Sequence, residues 1–390
     1  MAGRSLEVLR RRIAVLKSFQ SRLLWPPVTE FEAFGQSFPL PFRHTAADGT
    51  VLPQPLLPYL AGFFDGDGCI CAQGVCRLHV GQAAPRHKVL SLFATTFGGT
   101  VSTHKRGLGL SQPSLQWTIT GQAAQIAASK LAAECVVKSP QLRVAASWPI
   151  EKHLRLDAKR RLTALNSHSQ YDTAHRSCSW AYIAGFFDAE GCIMCPSSQI
   201  AVKLSLSQKS TSVLHWIDGF WRTDLGLTSS WTLDAKSGVT TVRVEGQSAT
   251  PLLMRRLLDN GLLLKKPQAL LGLSFKDLHY AELRDQVSRL SGNQSRYQTL
   301  SPEGCQRARD ILRVRRLVRY RLHQNRSDEA AHLLQRLQGM QLEHERLNAL
   351  HVYRSLRSDI RELLATGASI TKQSPTSVAN SGRAPRLRIT

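Results

Sequence analysis

A twelve-residue segment occurs twice in this chain, and the duplication limits the folds open to it more than any other property. Residues 59–70 read YLAGFFDGDGCI and residues 182–193 read YIAGFFDAEGCI. Nine of the twelve positions are identical, and only Leu60/Ile183, Gly66/Ala189 and Asp67/Glu190 differ. The copies are 123 residues apart, a domain-sized rather than a solenoid period.

The likeness continues downstream in the same order. RLHVGQ (77–82) answers KLSLSQ (203–208), WTITGQ (117–122) answers VRVEGQ (242–247), and VVKSPQL (136–142) answers LLKKPQA (263–269). Two copies of one unit therefore span roughly 56–150 and 178–280. The shared motif reads as a helix up to about Asp65 or Asp188, ended by the next glycine or turn. Residues 77–82 and 203–208 alternate polar and apolar, as half-buried antiparallel strands do. Leu78, Val80, Leu204 and Leu206 are expected in the core, with Arg77, His79, Lys203, Ser205 and Ser207 on the open face. Helices are expected at about 86–97, 122–134, 210–225 and 248–259, with further strands between them. The unit reads α-β-β-α-β-β-α, an α+β fold with two pseudo-symmetric repeats.

Ala61, Gly62 and Gly66, with Ala184, Gly185 and Ala189, put small residues at helical spacing, which lets two helix backbones approach closely. The natural partner of each motif helix is its own copy, around a pseudo-twofold axis. Asp67 and Glu190 then come together at two helix C-termini, where like charge and the negative dipole ends repel them. A divalent cation resolves the conflict. The free carbonyls of Gly66 and Ala189 would extend an oxygen-only ligand set suited to Mg²⁺, with Mn²⁺ as a substitute.

LAGFFDGDG and IAGFFDAEG resemble the LAGLIDADG motif of homing endonucleases, and two copies in one chain resemble the monomeric, two-motif class. The resemblance covers about residues 56–280. It implies motif helices packed on each other and two saddle-shaped antiparallel sheets on the major groove of double-stranded DNA. It places the metal ligand at the second acid, Asp67 and Glu190, and leaves Asp65 and Asp188 structural. Lys138 and Lys265 match the lysine before the last helix of each repeat, Gln82 and Gln208 the glutamine ending the second strand. The catalytic set implied is thus Asp67, Glu190, Lys138, Lys265, Gln82 and Gln208. Arg86 fits a further basic position, held by Ser212 in the second half. Arg77, His79, Arg86, Lys105, Lys203, Ser205 and Arg243 are the expected DNA contacts. The activity implied is metal-dependent hydrolysis of both DNA strands at a specific site, in the setting of intron homing. The alternative is an RNA maturase that assists splicing of its host intron with the same fold.

Charge agrees with a polyanionic partner. Lys and Arg number 51 and Asp and Glu 28, a net charge of +23. No run of 18 apolar residues is present, so no membrane partner is expected. Eight cysteines are too sparse for a disulfide scaffold, and no secretory signal is seen. Cys69-x-Cys71 and Cys192-x-x-Cys195 lack a second pair at zinc spacing and read as small buried residues. Residues 1–55 form a basic extension and proline-rich linker. Its start carries Leu6, Leu9, Ile13, Leu16, Phe19 and Leu23 at helical spacing among six Lys and Arg, which fits either an organelle transit peptide or a docked surface helix. Residues 151–177 read as a linker between the repeats, 281–366 as a helical extension docked on the body, and 367–390 as a disordered tail.

Overall fold

The computed structural model describes residues 2–45, 56–165, 177–196, 199–276, 279–290, 297 and 300–371. It divides into two compact units: residues 28–105 with 114–292, and residues 1–27, 106–113 and 293–390. In chain order, α1 (Ala2–Gln20) and β1 (Leu23–Leu24) belong to the second unit. The first unit begins with β2 (Glu30–Ala33), β3 (Gln36–Pro39) and β4 (Phe42–His44).

The first repeat follows as α2 (Leu56–Asp67), β5 (Gly68–Gln73), β6 (Val75–Ala83), α3 (Lys88–Phe97), β7 (Gly99–Lys105), β8 (Ser114–Thr120), α4 (Gly121–Glu134) and α5 (Ser139–Ala146). After α6 (Arg155–Leu165) the second repeat runs α7 (Trp180–Glu190), β9 (Gly191–Met194), β10 (Lys203–Gln208), α8 (Thr211–Leu225), β11 (Ser230–Asp234), β12 (Val239–Glu245), α9 (Ala249–Asp259) and α10 (Lys266–Leu273), then α11 (Tyr280–Leu290). The two α+β repeats expected from the duplication are present. The motif helices run two residues further than expected: Asp67 and Glu190 are their last helical residues, and Gly68 and Gly191 open the next strands.

Each repeat contributes one antiparallel sheet. The strand orders are β4-β7-β8-β6-β5 and β11-β12-β10-β9. The alternation of the central strands sets their faces. Leu78, Val80, Leu204 and Leu206 are buried with Trp117, Ile119, Val242 and Val244, while Arg77 is exposed and His79 half-buried on the opposite face. Under the first sheet, Phe63, Phe64, Phe93 and Trp117 form an aromatic cluster, and the Trp117 indole N–H donates to the Gly98 carbonyl at 2.8 Å. Within the expected linker, residues 30–44 instead supply three strands. β4 extends the first sheet by pairing with β7, and beside it Phe31 stacks on Phe38 while Phe42 meets both edge to face.

The two motif helices pack along each other. A Cβ placed on Gly62 would collide with the carbonyl oxygen of Tyr182, and one on Gly185 with the carbonyl oxygen of Tyr59. The backbones are in direct contact there, which only glycine allows. One turn further on, a Cβ on Gly66 would collide with the Cβ of Ala189. That accounts for one of the three differences between the copies: the axis has room for a single methyl group, and Ala189 supplies it.

The second unit has its own core. Leu23, Leu356, Ile360 and Leu363 are buried against Ile13, Leu16, Phe19 and Trp25, which joins α1 to α13 (Ser327–Ala365). α12 (Pro302–His323) packs along α13 through Ile311, Val314 and Leu337, leaving Arg313, Arg316 and Arg319 exposed. The apolar stripes of the amino- and carboxy-terminal helices thus pack on each other. The tail expected to be disordered from residue 367 contributes β13 (Ser369–Ile370), paired with Leu23–Leu24; residues 372–390 lie outside the described residues. Among the described residues no helix is long and apolar enough to cross a membrane.

The backbone contact between the motif helices yields a stability prediction. Gly62→Ala should lower stability by about 3 kcal/mol, because the obstacle is backbone that cannot rotate away. Gly219→Ala, in α8 with open space around it, should raise stability by about 0.5–1 kcal/mol. Denaturant midpoints of the two variants check the contrast.

Candidate active site at the paired motif helices

The first acid of each motif is buried and fully engaged. Asp65 accepts the backbone N–H groups of Val136, Val137 and Lys138 at 2.6, 2.9 and 2.7 Å, and the Tyr182 hydroxyl at 2.7 Å. Asp188 repeats the pattern with Leu263, Leu264 and Lys265 at 2.7, 3.0 and 2.8 Å, and with the Tyr59 hydroxyl at 2.7 Å. Each carboxylate sits against the turn that leads into the last helix of its own repeat, α5 or α10, where N–H groups lack helical partners. Each also takes a hydroxyl from the opposite repeat. Burial, with the facing acid, holds both tyrosine hydroxyls well above their ordinary pKa, so they remain donors. Burial also raises the Asp188 carboxyl.

Lys138 and Lys265, expected in the catalytic set, turn their ammonium groups onto the ends of the motif helices. The Lys138 ammonium donates to the carbonyls of Phe64, Asp65 and Gly66 at 2.9, 2.7 and 2.9 Å. The Lys265 ammonium donates to those of Phe187, Asp188 and Ala189 at 2.8, 2.5 and 3.5 Å. Every proton of each ammonium is committed to the C-terminus of a motif helix, which satisfies orphan carbonyls and opposes the negative dipole end. Burial lowers both lysines, Lys265 to about 8. In this structure they are helix caps that adjoin the second acids.

The second acids face the sheets. Gln82, in β6, donates to Asp67 at 2.6 Å, and Gln208, ending β10, donates to Glu190 at 2.9 Å. Asp67 keeps an exposed edge, yet desolvation by its packed surroundings raises its carboxyl above the usual range, against the lowering effect of Gln82, Lys265, Lys138 and Arg86. Desolvation and then the charge of Asp67 raise Glu190. Glu190 therefore senses the charge of Asp67 across the axis. Their donor set is all oxygen, the residual repulsion is anionic, and the carbonyls of Gly66 and Ala189 adjoin. That chemistry fits a hard dication such as Mg²⁺. The Lys138 and Lys265 caps already occupy one side of those carbonyls.

Arg86 lies within electrostatic reach of Asp67 and Lys265 and so belongs to the site. On the open faces, Arg77 and Lys105 are exposed. The other expected contacts are less free. Lys203 is paired with Glu245 at 2.8 Å. Ser205, expected on the open face, is 4% exposed, because its short side chain lies between Cys192 and Arg243 in register. Arg243 is half-buried. His79 is lowered by burial, His104 and Arg77. The cysteines expected as small buried residues are otherwise placed: Cys69, Cys71 and Cys195 are half-buried and Cys192 is exposed. Sequence reasoning missed Tyr59 and Tyr182, although their recurrence at the first position of both motif copies was the available signal.

No family model matches the chain, and no curated protein matches it either. Among solved structures it is similar to I-SmaMI bound to uncleaved DNA target with calcium ions, at 13% identity over 61% of this chain and 98% of that one, TM-score 0.42. It is similar to the LAGLIDADG meganuclease I-AabMI bound to uncleaved DNA, at 15% identity over 60% and 96%, TM-score 0.44. It is also similar to the LAGLIDADG homing endonuclease I-GzeII in complex with DNA target, at 11% identity over 61% and 99%, TM-score 0.44. At identities this low, what the site does has to follow from its own residues.

Two predictions follow from these hydrogen bonds. Lys265→Met leaves three helix-end carbonyls without their cap and should cost about 3 kcal/mol, measured by denaturant unfolding; a lysine serving only a bound phosphate would leave stability unchanged. The second concerns pH. Both second acids hold protons more tightly folded than at their ordinary values of 3.8 and 4.5, so their contribution to stability falls as pH rises from those values through the raised ones. In EDTA, Asp67→Asn and Glu190→Gln should each melt no lower than the parent at pH 7, and the difference should vanish below about pH 4. A melting-temperature series against pH checks this.

Proposed function

We propose that the repeat body is a site-specific, metal-dependent endonuclease acting on double-stranded DNA. The observation that carries this reading is the pairing of Asp67 and Glu190 at the motif-helix ends. Each is gripped by a strand-end glutamine, and electrostatically coupled to the other, in a chain of net charge +23. Asp67 and Glu190 would hold Mg²⁺, or Mn²⁺ in its place, with help from the carbonyls of Gly66 and Ala189. When bound, such a cation supplies Lewis acidity toward a phosphodiester and a water of lowered pKa.

The chain's own residues do the positioning. Gln82 and Gln208 fix the carboxylate orientations from the sheets. Lys138 and Lys265 hold the helix ends that carry the acids, and their charge adjoins the site. Arg86 supplies a cation beside Asp67 for the charge that develops on phosphorus oxygens. On the open faces Arg77, Lys105 and Arg243 are the proposed DNA contacts, phosphates giving affinity and base edges specificity. With Lys203 tied to Glu245 and Ser205 covered, the first sheet carries the larger share.

The test is selection of cleaved sites from a randomised DNA library in Mg²⁺, then plasmid cleavage and gel shift on the selected site. Asp67→Asn and Glu190→Gln should each lower double-strand cutting at least about a hundredfold, with affinity in Ca²⁺ kept within about threefold. Double-strand cutting by Asp67→Asn at the parent rate, or cutting in EDTA, overturns the metal assignment. Splicing assistance on an intron RNA that persists with both acids replaced favours the maturase reading instead.

A further inference from the structure

Beside the motif, two strands bring together three ligands of a different kind. Cys69 and Cys71 lie two residues apart on β5 and share one face of the sheet, and register sets His79 of β6 opposite Cys69. The two Sγ atoms are 3.6 Å apart, and these sulfurs and a ring nitrogen of His79 lie within 4.8 Å of one another. A tetrahedral zinc site with Zn–S bonds of about 2.3 Å has sulfur–sulfur edges of about 3.8 Å. Nδ1 of His79 is buried with no hydrogen-bond partner, and no disulfide engages either thiol.

We infer that Cys69, Cys71 and His79 form a Zn²⁺ site on the open face of the first sheet, separate from the oxygen ligands at Asp67 and Glu190. Two sulfurs and an imidazole select zinc over Mg²⁺. Binding releases both thiol protons to solvent, and two thiolates cancel the charge of the ion. The neutral complex is therefore compatible with Arg77, which pairs with Cys71 in register. Three protein ligands leave a fourth position for water or an incoming ligand atom. The ion would tie β5 to β6 two residues after Asp67, in the strand that carries the chain away from the axis.

The second repeat is an internal control. Its β9 keeps a cysteine at the first position, Cys192, but has Met194 where β5 has Cys71. The residue opposite Cys192 is Ser205, where β6 has His79. One zinc ion per chain is therefore expected, in the first half only.

The experiment uses the full chain with Mg²⁺ in excess. Titration with Co²⁺ should saturate at one equivalent, with tetrahedral visible bands and thiolate-to-metal charge-transfer absorption, and Zn²⁺ should displace it. Cys69→Ser and Cys71→Ser should each remove about half of the charge-transfer intensity, and His79→Gln should weaken Zn²⁺ at least about tenfold in competition with a chromophoric chelator. Cys192→Ser should change nothing. A second measurement needs no variant: Zn²⁺ should slow alkylation of Cys69 and Cys71, read by mass spectrometry, and leave Cys192 unprotected. Absence of a saturable site, or a signal that survives Cys69→Ser and Cys71→Ser but is lost with Cys192→Ser or Cys195→Ser, overturns the assignment.

Discussion

The repeat body depends on one contact, the approach of two helix backbones at Gly62 and Gly185. Each glycine faces a tyrosine carbonyl of the other helix, so the helices lie closer than any side chain would permit. That distance lets the Tyr59 and Tyr182 hydroxyls reach across to Asp188 and Asp65. The result is a reciprocal, buried lock between the repeats. Neither half can move along the axis without leaving a buried carboxylate or hydroxyl unpaired, which costs far more than such a bond gains when made.

The same lock explains how four acids of similar sequence context acquire two different characters. Asp65 and Asp188 are saturated: three backbone N–H groups and a hydroxyl meet each of them. The lysines complete the arrangement by capping the helix ends, so their positive charge lies against backbone carbonyls. Asp67 and Glu190 receive one amide each; desolvation raises the proton affinity of both, and the charge of Asp67 raises that of Glu190 further. Unmet charge is thus concentrated at a single place on the axis, between two sheets.

Much of this was legible in the chain. A motif that recurs at domain spacing, with matching strands behind it, specifies a pseudo-twofold pair, and the alternation of RLHVGQ and KLSLSQ specifies which residues enter the core. Small residues on one helix face announce a close partner. These signals are local or periodic, and periodicity survives whatever the rest of the chain does. The pairing of Gln82 with Asp67 and of Gln208 with Glu190 was reachable from the same comparison of copies. The helix-end hydrogen bonds of Lys138 and Lys265 were not legible, because a cation near a helix end has two uses and its partners lie far away in the chain. Residues 30–44, part of the expected linker, were misread because proline density argues against helix without arguing against short strands, and β2, β3 and β4 use that freedom.

The amino-acid sequence by itself determined the duplication, the element order within each copy, the buried and open faces of the central strands, and the two acids that meet at the axis. Tertiary structure alone decided which charges are free. Lys203 is neutralised by Glu245, and Ser205 is covered by its neighbours in register. Cys69 and Cys71 gain His79 as a third neighbour from the adjacent strand. It also decided that the terminal helices build their own core, since apolar stripes on α1, α12 and α13 state that each needs a partner but not which one. The physical reason is common to all of these: amphipathic periodicity specifies that a face must be covered, whereas partner identity and charge pairing depend on distances between residues far apart in the chain, which no local pattern encodes.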